Sequence, residues 1–218
     1  MENKKEFSHY AQFEHYVFDN RVLVPIGTGA EGTCYLAPKE QKVYKKFYRR
    51  NTIFPYYKVS DILTTKDIQI DSFVFPEVLF CHRKYLYGYL ARYISDDLFY
   101  LGHRSNYKKM YPIDFEQMRR AYEWVRKDIE RLSNANILMD DLFTNLLFDG
   151  QKFYMIDTCG YQVVNFNTWH ENIFLFDETL KSILELWGKA GEDIFVPRGL
   201  EVDSYLKEYD LELKRRRI

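Results

Sequence analysis

The sequence predicts an α+β protein in two parts, a β-rich part over residues 1–94 and a helical part over residues 95–218. Three observations lead there. Residues 21–94 are dominated by short runs rich in Val, Tyr and Phe; one helical stripe of apolar side chains begins at Phe115; and the polar break Ser95-Asp96-Asp97 separates the two characters. A chain of 218 residues that is 46% hydrophobic and 18% aromatic has enough apolar surface to build a core, which excludes a disordered tail.

In the first part, residues 21–26, 33–37, 42–48, 75–81 and 85–94 predict strands, because β-branched and aromatic side chains suit a pleated, half-buried surface. Lys39-Glu40-Gln41 predicts a turn, and residues 60–68 one short helix. In the second part, Phe115, Met118, Tyr122, Val125, Ile129 and Leu132 recur at steps of three and four, behind Asp114 as N-cap and Gln117 three residues on. Residues 145–148 and 153–156 predict two strands joined by a two-residue turn at Asp149-Gly150. Residues 173–187 are apolar on nearly all sides and predict a buried helix, and residues 200–213 a last surface helix.

With 31 basic and 32 acidic side chains the net charge is −1, so no global field points to nucleic acid or to a membrane as partner. The basic cluster at residues 214–217 reads as a solvated helix end. Cys34, Cys81 and Cys159 are odd in number without a CxxC pair, which fits a reducing compartment and small core residues better than a disulfide scaffold. The five histidines show no ligand spacing with one another or with the cysteines, so no zinc is expected. Neither a charged-then-apolar leader nor a membrane-length apolar run occurs, and a cytoplasmic protein is expected, with delivery into another cell as an effector left open.

Chemistry enters at residues 26–37, IGTGAEGTCYLA, where Gly27, Gly29 and Gly32 have the GxGxxG spacing that lets backbone N–H groups approach a phosphate chain. A dinucleotide fingerprint needs a helix after the last glycine, and a P-loop needs Gly-Lys-Ser/Thr; Gly32 is followed by Thr-Cys-Tyr-Leu and a strand, so both are excluded. What remains is a glycine loop, with Thr28 and Ala30 between the glycines, at the tip of a hairpin. On the next strand, alternation sets Val43, Lys45 and Phe47 on one face, which carries Lys45 inward; the competing arrangement leaves Lys45 and Lys46 both solvated.

The third stretch is residues 137–147, ILMDDLFTNLL, followed by FYMID at residues 153–157. Glycine loop, strand lysine, long helix, Asp140 with Asn145 five residues on, and Asp157 after an apolar strand together resemble the protein kinase superfamily, in the form of a reduced, bacterial-type member, over about residues 21 to 187. The resemblance implies a bilobal fold, which would make residues 1–94 a small antiparallel β-rich N-lobe and residues 95–218 a reduced helical C-lobe, with ATP in the interlobe cleft. Gly27, Thr28, Gly29, Ala30 and Gly32 would cover the phosphates, Lys45 would pair with the α- and β-phosphates, and a hinge at residues 92–96, with Arg92 and Ile94, would hold adenine. Asp140 would orient the acceptor hydroxyl and take its proton, while Asn145 and Asp157 would hold Mg2+.

The chain departs from the pattern at several places. Leu138 and Met139 replace the His and Arg before the catalytic Asp, so control by loop phosphorylation is not expected. Thr158 and Cys159 stand where the family has Phe-Gly, with Gly160 one place late, and no Ala-Pro-Glu follows. Leu142 replaces a lysine common in serine/threonine kinases, and no glutamate lies between Glu40 and Glu77 to pair with Lys45, which leaves Asp61 and then Asp67 as expected substitutes. The implied activity is transfer of the ATP γ-phosphate to a serine or threonine of a protein substrate, with an activating partner protein allowed. A small-molecule kinase, an AMP transferase and a nucleotide-binding docking module stay open.

Overall fold

A computed structural model describes residues 4–19, 21–48, 59–65, 67–68, 70–83, 85–94, 99–102, 114–191, 202–204, 206–207 and 211. The protein is mixed α+β, with a six-stranded, mostly antiparallel sheet, and it divides into two compact units. The first comprises residues 1–69, 74–94 and 157–162, and the second residues 70–73, 95–156 and 163–218. Segments 70–73 and 157–162 are therefore exchanged relative to a simple division at residue 94.

The first unit contains β1 (Lys4–Glu6), α1 (Tyr10–Phe18), β2 (Val24–Thr28), β3 (Gly32–Ala37), β4 (Lys42–Phe47), α2 (Val59–Thr65), β5 (Pro76–His82) and β6 (Tyr85–Arg92). The sheet runs β1-β5-β6-β4-β3-β2, and only β1 and β5 pair in parallel. Both β1 and α1 lie outside the strands and helices the sequence predicted. The signal for α1 was the 3-and-4 spacing of Tyr10, Phe13 and Val17 behind an unusual N-cap, His9, whose Nδ1 accepts from the Gln12 N–H at 3.1 Å. Phe13 is fully buried, and with Phe7, Val17, Ala37, Tyr44, Phe80 and Tyr87 it forms a core under one face of the sheet. Burial of one such phenylalanine stabilises the fold by about 1.5–3 kcal/mol.

Because strand side chains alternate, covering Tyr44 on one face turns Lys45 to the other. There Cys34, Lys45, Tyr89 and Leu79 stand opposite one another across β3, β4, β6 and β5. Lys45 and Phe47 are both buried, and Val43 shares their face half-buried. The predicted helix over residues 60–68 is Val59–Thr65, burying Ile62 and Thr65.

The second unit contains β7 (Phe99–Tyr100), α3 (Phe115–Asn134), β8 (Ile137–Leu138), β9 (Leu146–Phe148), β10 (Phe153–Met155) and α4 (Trp169–Gly191). The Asp114 carboxylate caps α3 by accepting from Glu116 N–H at 3.0 Å and Gln117 N–H at 3.2 Å. All six predicted stripe residues are buried, joined by Asp128, whose Oδ2 accepts from Ser72 N–H at 3.1 Å and whose Oδ1 accepts from Arg131 at 3.2 Å.

Two expectations about this unit need correction. The β9–β10 connection spans four residues, since Phe148 pairs with Phe153; Asp149 Oδ1 accepts from both Gln151 N–H and Lys152 N–H, and Gly150 takes a φ of 90°. The aspartate builds an Asx turn that needs the extra residues. Helix α4 is longer than predicted and one-sided, burying Asn172, Phe176, Thr179, Leu180, Ile183 and Leu184 while Phe174 is 67% exposed. Apolar composition alone does not reveal which face packs. The hinge residues Ser95 and Asp96, with the polar break, and the basic cluster at 214–217 lie outside the described residues. Of the expected helix 200–213, residues 202–204, 206–207 and 211 are helical, with Val202 and Leu206 buried.

Candidate functional site

In the first unit the glycine loop is the tip of the β2–β3 hairpin, closed by the Thr28–Thr33 pair and by the Gly29 N–H donating to Gly32 O at 2.9 Å. The three glycines differ in kind. A Cβ on Gly32 would lie 2.2 Å from the Lys46 carbonyl oxygen, so this position must be glycine for β3 and β4 to approach. At Gly27 and Gly29 a Cβ would meet nothing within 4 Å, and neither has a left-handed backbone. The fold itself gives no reason for glycine there. Thr28 lies between these two glycines and Ala30 follows them.

Lys45, 6% exposed, donates to Asp157 Oδ2 in a short charge-assisted bond and lies 3.6 Å from Glu31 Oε2. Asp157 also accepts from the Tyr89 hydroxyl at Oδ1, 3.2 Å away. Burial by itself lowers the Lys45 pKa, but the adjacent Asp157 carboxylate more than offsets this, and the net direction is up. The ammonium therefore stays charged at neutral pH. Asp157 sits in left-handed backbone, φ 58°, and opens a 3-10 turn over Thr158–Gly160. That turn is pinned by the buried Thr158 hydroxyl donating to Val74 O at 3.1 Å and by Cys159, 1% exposed. A left-handed non-glycine residue costs on the order of 1 kcal/mol and persists only where its surroundings fix it. Asp61 and Asp67, the expected partners of Lys45, form no ion pair with it; Asp61 instead accepts from the Ser60 hydroxyl at 3.4 Å. Glu31 and Asp157 take that place. Arg92 ends β6 opposite Lys42, and Ile94 lies half-buried just beyond, where Tyr93 N–H donates to Gln41 O at 3.1 Å.

In the second unit the segment of residues 137–145 is held from beneath by Asn172 of α4. Its Oδ1 accepts from Met139 N–H at 2.8 Å, and its Nδ2, with two hydrogens, is shared among Ile137 O at 2.8 Å, Thr168 Oγ1 at 2.9 Å and Ser133 Oγ at 3.0 Å. Asn172 is fully buried, as are Ile137 and Leu142. The two adjacent aspartates have different fates. Asp141 Oδ1 accepts from Phe143 N–H at 3.0 Å and its carbonyl accepts from Asn145 Nδ2 at 3.0 Å, so Asp141 builds the turn. Asp140 is exposed and has no protein hydrogen bond among the described residues. The Asn145 carbonyl accepts from Ile156 N–H at 3.0 Å, which ties the loop to the strand end one residue before Asp157.

Lys45 and Asp157 are thus brought together, while Asp140 and Asn145 share the loop of the second unit. Sequence reasoning missed Glu31, Tyr89 and Asn172. Glu31 was legible as the one carboxylate inside the glycine loop; Tyr89 read as an ordinary strand residue and Asn172 lay one residue before the predicted helix, until pairing placed them. Among the described residues no group of three or more His, Cys, Asp and Glu side chains is arranged to hold a metal, and no helix is long and apolar enough to cross a membrane. No protein-family model matches the chain, and no curated protein does.

Proposed function

We propose that this protein is a reduced kinase-like phosphotransferase that moves the γ-phosphate of ATP to a serine or threonine hydroxyl of a protein. The observation that carries this reading is the pairing of buried Lys45 with the partly exposed Asp157, 112 residues away in sequence and itself in left-handed backbone, together with glycines at 27 and 29 that packing does not require. A purely structural ion pair needs neither the strain nor the open glycines at 27 and 29. Lys45 would neutralise phosphate charge, and Gly27, Thr28, Gly29, Ala30 and Gly32 would admit the phosphates to the backbone, with adenine against the chain at Arg92 and Ile94. The Asp157 carboxylate and Asn145 amide are oxygen donors of the kind Mg2+ takes when phosphates and water complete its shell. Bound Mg2+ would supply charge neutralisation at the transferring phosphate. Asp140, exposed and unengaged while Asp141 serves the turn, would orient the acceptor hydroxyl and take its proton.

The test is thermal unfolding with and without Mg-ATP. At ligand about 100 times its dissociation constant, binding stabilises by roughly 2.7 kcal/mol. Lys45→Ala and Asp157→Ala are expected to lose most of that gain, and equal gains in all three proteins would sink the reading. Asp140→Asn is expected to bind nucleotide and lose transfer. γ-Labelled ATP marks a kinase product, on protein or on a small molecule; α-labelled ATP marks AMP transfer; nucleotide binding with neither label marks a docking module.

A further inference from the structure

We propose that Glu31 is the positioning residue for Lys45, a carboxylate supplied by the glycine loop itself in place of one from a helix; the proposal rests on Lys45 being the phosphate ligand. If Asp157 is to hold a cation, Lys45 needs a second carboxylate to keep its ammonium extended, and among the described residues its ion-pair partners are Asp157 and Glu31. The place of Glu31 is set by the hairpin and not by the open tip. Its carbonyl accepts from Tyr48 N–H at 2.8 Å, and the next residue, Gly32, lies tight against the Lys46 carbonyl. Its side chain, 43% exposed, faces the buried Lys45 side chain. A carboxylate within a loop that receives a polyanion repels it unless a cation is already engaged, and the Lys45 pairing supplies that cation. Loop position and lysine orientation are thereby coupled through one contact.

The experiment measures Mg-ATP affinity for wild type, Glu31→Gln, Glu31→Asp, Lys45→Ala and the Lys45→Ala/Glu31→Gln double variant, together with acylation of Lys45 by an amine-directed reagent without nucleotide. For a half-exposed pair the expected loss in Glu31→Gln is about fivefold, partly restored in Glu31→Asp and absent in the Lys45→Ala background. Lys45 acylation is expected to quicken in Glu31→Gln, while Lys42, paired with Glu77 at 2.5 Å, labels as before. Equal or tighter binding by Glu31→Gln, or the same loss without Lys45, overturns the proposal, since Glu31 then competes with the ligand or acts elsewhere. A wild type unaffected by Mg-ATP sinks the phosphotransferase reading instead, and unchanged Lys45 acylation sinks the pairing on its own.

Discussion

The Lys45 region of the first unit and the Asp140 loop of the second are ordered by opposite means. Around Lys45 the ordering groups are ions, with one buried ammonium between Asp157 and Glu31. Under the Asp140 loop it is a neutral amide, Asn172, that engages one backbone N–H, one carbonyl and two hydroxyls. Buried ions are favourable only while paired, and the pairing can be exchanged for another charge; a buried neutral network has no such exchange and simply fixes the backbone. The first arrangement suits a place where a charged ligand arrives. The second suits a support that should not move.

The contrast breaks most visibly at Asn172. Asn172→Ala orphans several buried polar groups and is expected to lower unfolding stability by about 3 kcal/mol, read from the urea midpoint at unchanged slope. Asn172→Asp should fail as well, because a carboxylate cannot donate to the Ile137 carbonyl. A loss under 1 kcal/mol would mean that the loop is carried by Ile137 and Leu142 packing alone.

Next in size is the glycine contrast. Gly32→Ala forces a Cβ against the Lys46 carbonyl and is expected to destabilise by roughly 2 kcal/mol, in the range for overpacking. Gly27→Ala and Gly29→Ala should be neutral or slightly stabilising in urea, since a shorter list of unfolded conformations favours the fold, and should instead weaken Mg-ATP binding. Equal destabilisation by all three would remove the distinction between packing and ligand glycines.

Asp157→Ala leaves Lys45 with Glu31 as its ion-pair partner among the described residues and is expected to lower stability by about 2 kcal/mol, the partial exposure of Asp157 moderating a fully buried loss. Replacing both partners by apolar residues, Lys45→Met with Asp157→Leu, should restore stability to within about 1 kcal/mol of wild type while abolishing nucleotide binding. Failure of the double variant to recover would show that the left-handed turn at Asp157, and not the charge, dominates.

The smallest effect concerns pH. Burial, only partly opposed by Lys45, pushes the Cys34 thiol up to about 11, and burial pushes Cys81 up to about 12. Raised thiol values stabilise the fold fully below the unfolded value, about 8.5, and that contribution fades as pH rises toward 11 because only the unfolded chain ionises. Alkylation of native Cys34 should accordingly stay slow at pH 9 and accelerate near pH 11. Rapid modification at pH 8 would place Cys34 in a more open setting than β3 beside Lys45.

The sequence by itself determined the elements whose signal is local. The α3 stripe and its Asp114 cap and the glycine loop opening a strand depend on neighbours within a few residues and were legible. Strand alternation, by contrast, grouped Lys45 with Val43 and Phe47 without deciding that this face is the buried one. The Asp140–Asn145 spacing was legible as a motif, but which of two adjacent aspartates the turn consumes was not, since that depends on the Phe143 N–H swinging back to Asp141. Tertiary structure alone decided the rest. It put a helix from residues 10–18 over the sheet, chose Glu31 over Asp61 as partner for Lys45, and brought Asp157 across 112 residues of chain to the same ammonium. It also made Asn172, a polar residue on the buried face of α4, the support of a loop more than thirty residues away. Such pairings leave no periodicity to read, because contacts between distant segments are set by how whole elements pack and which buried polar groups remain to be satisfied.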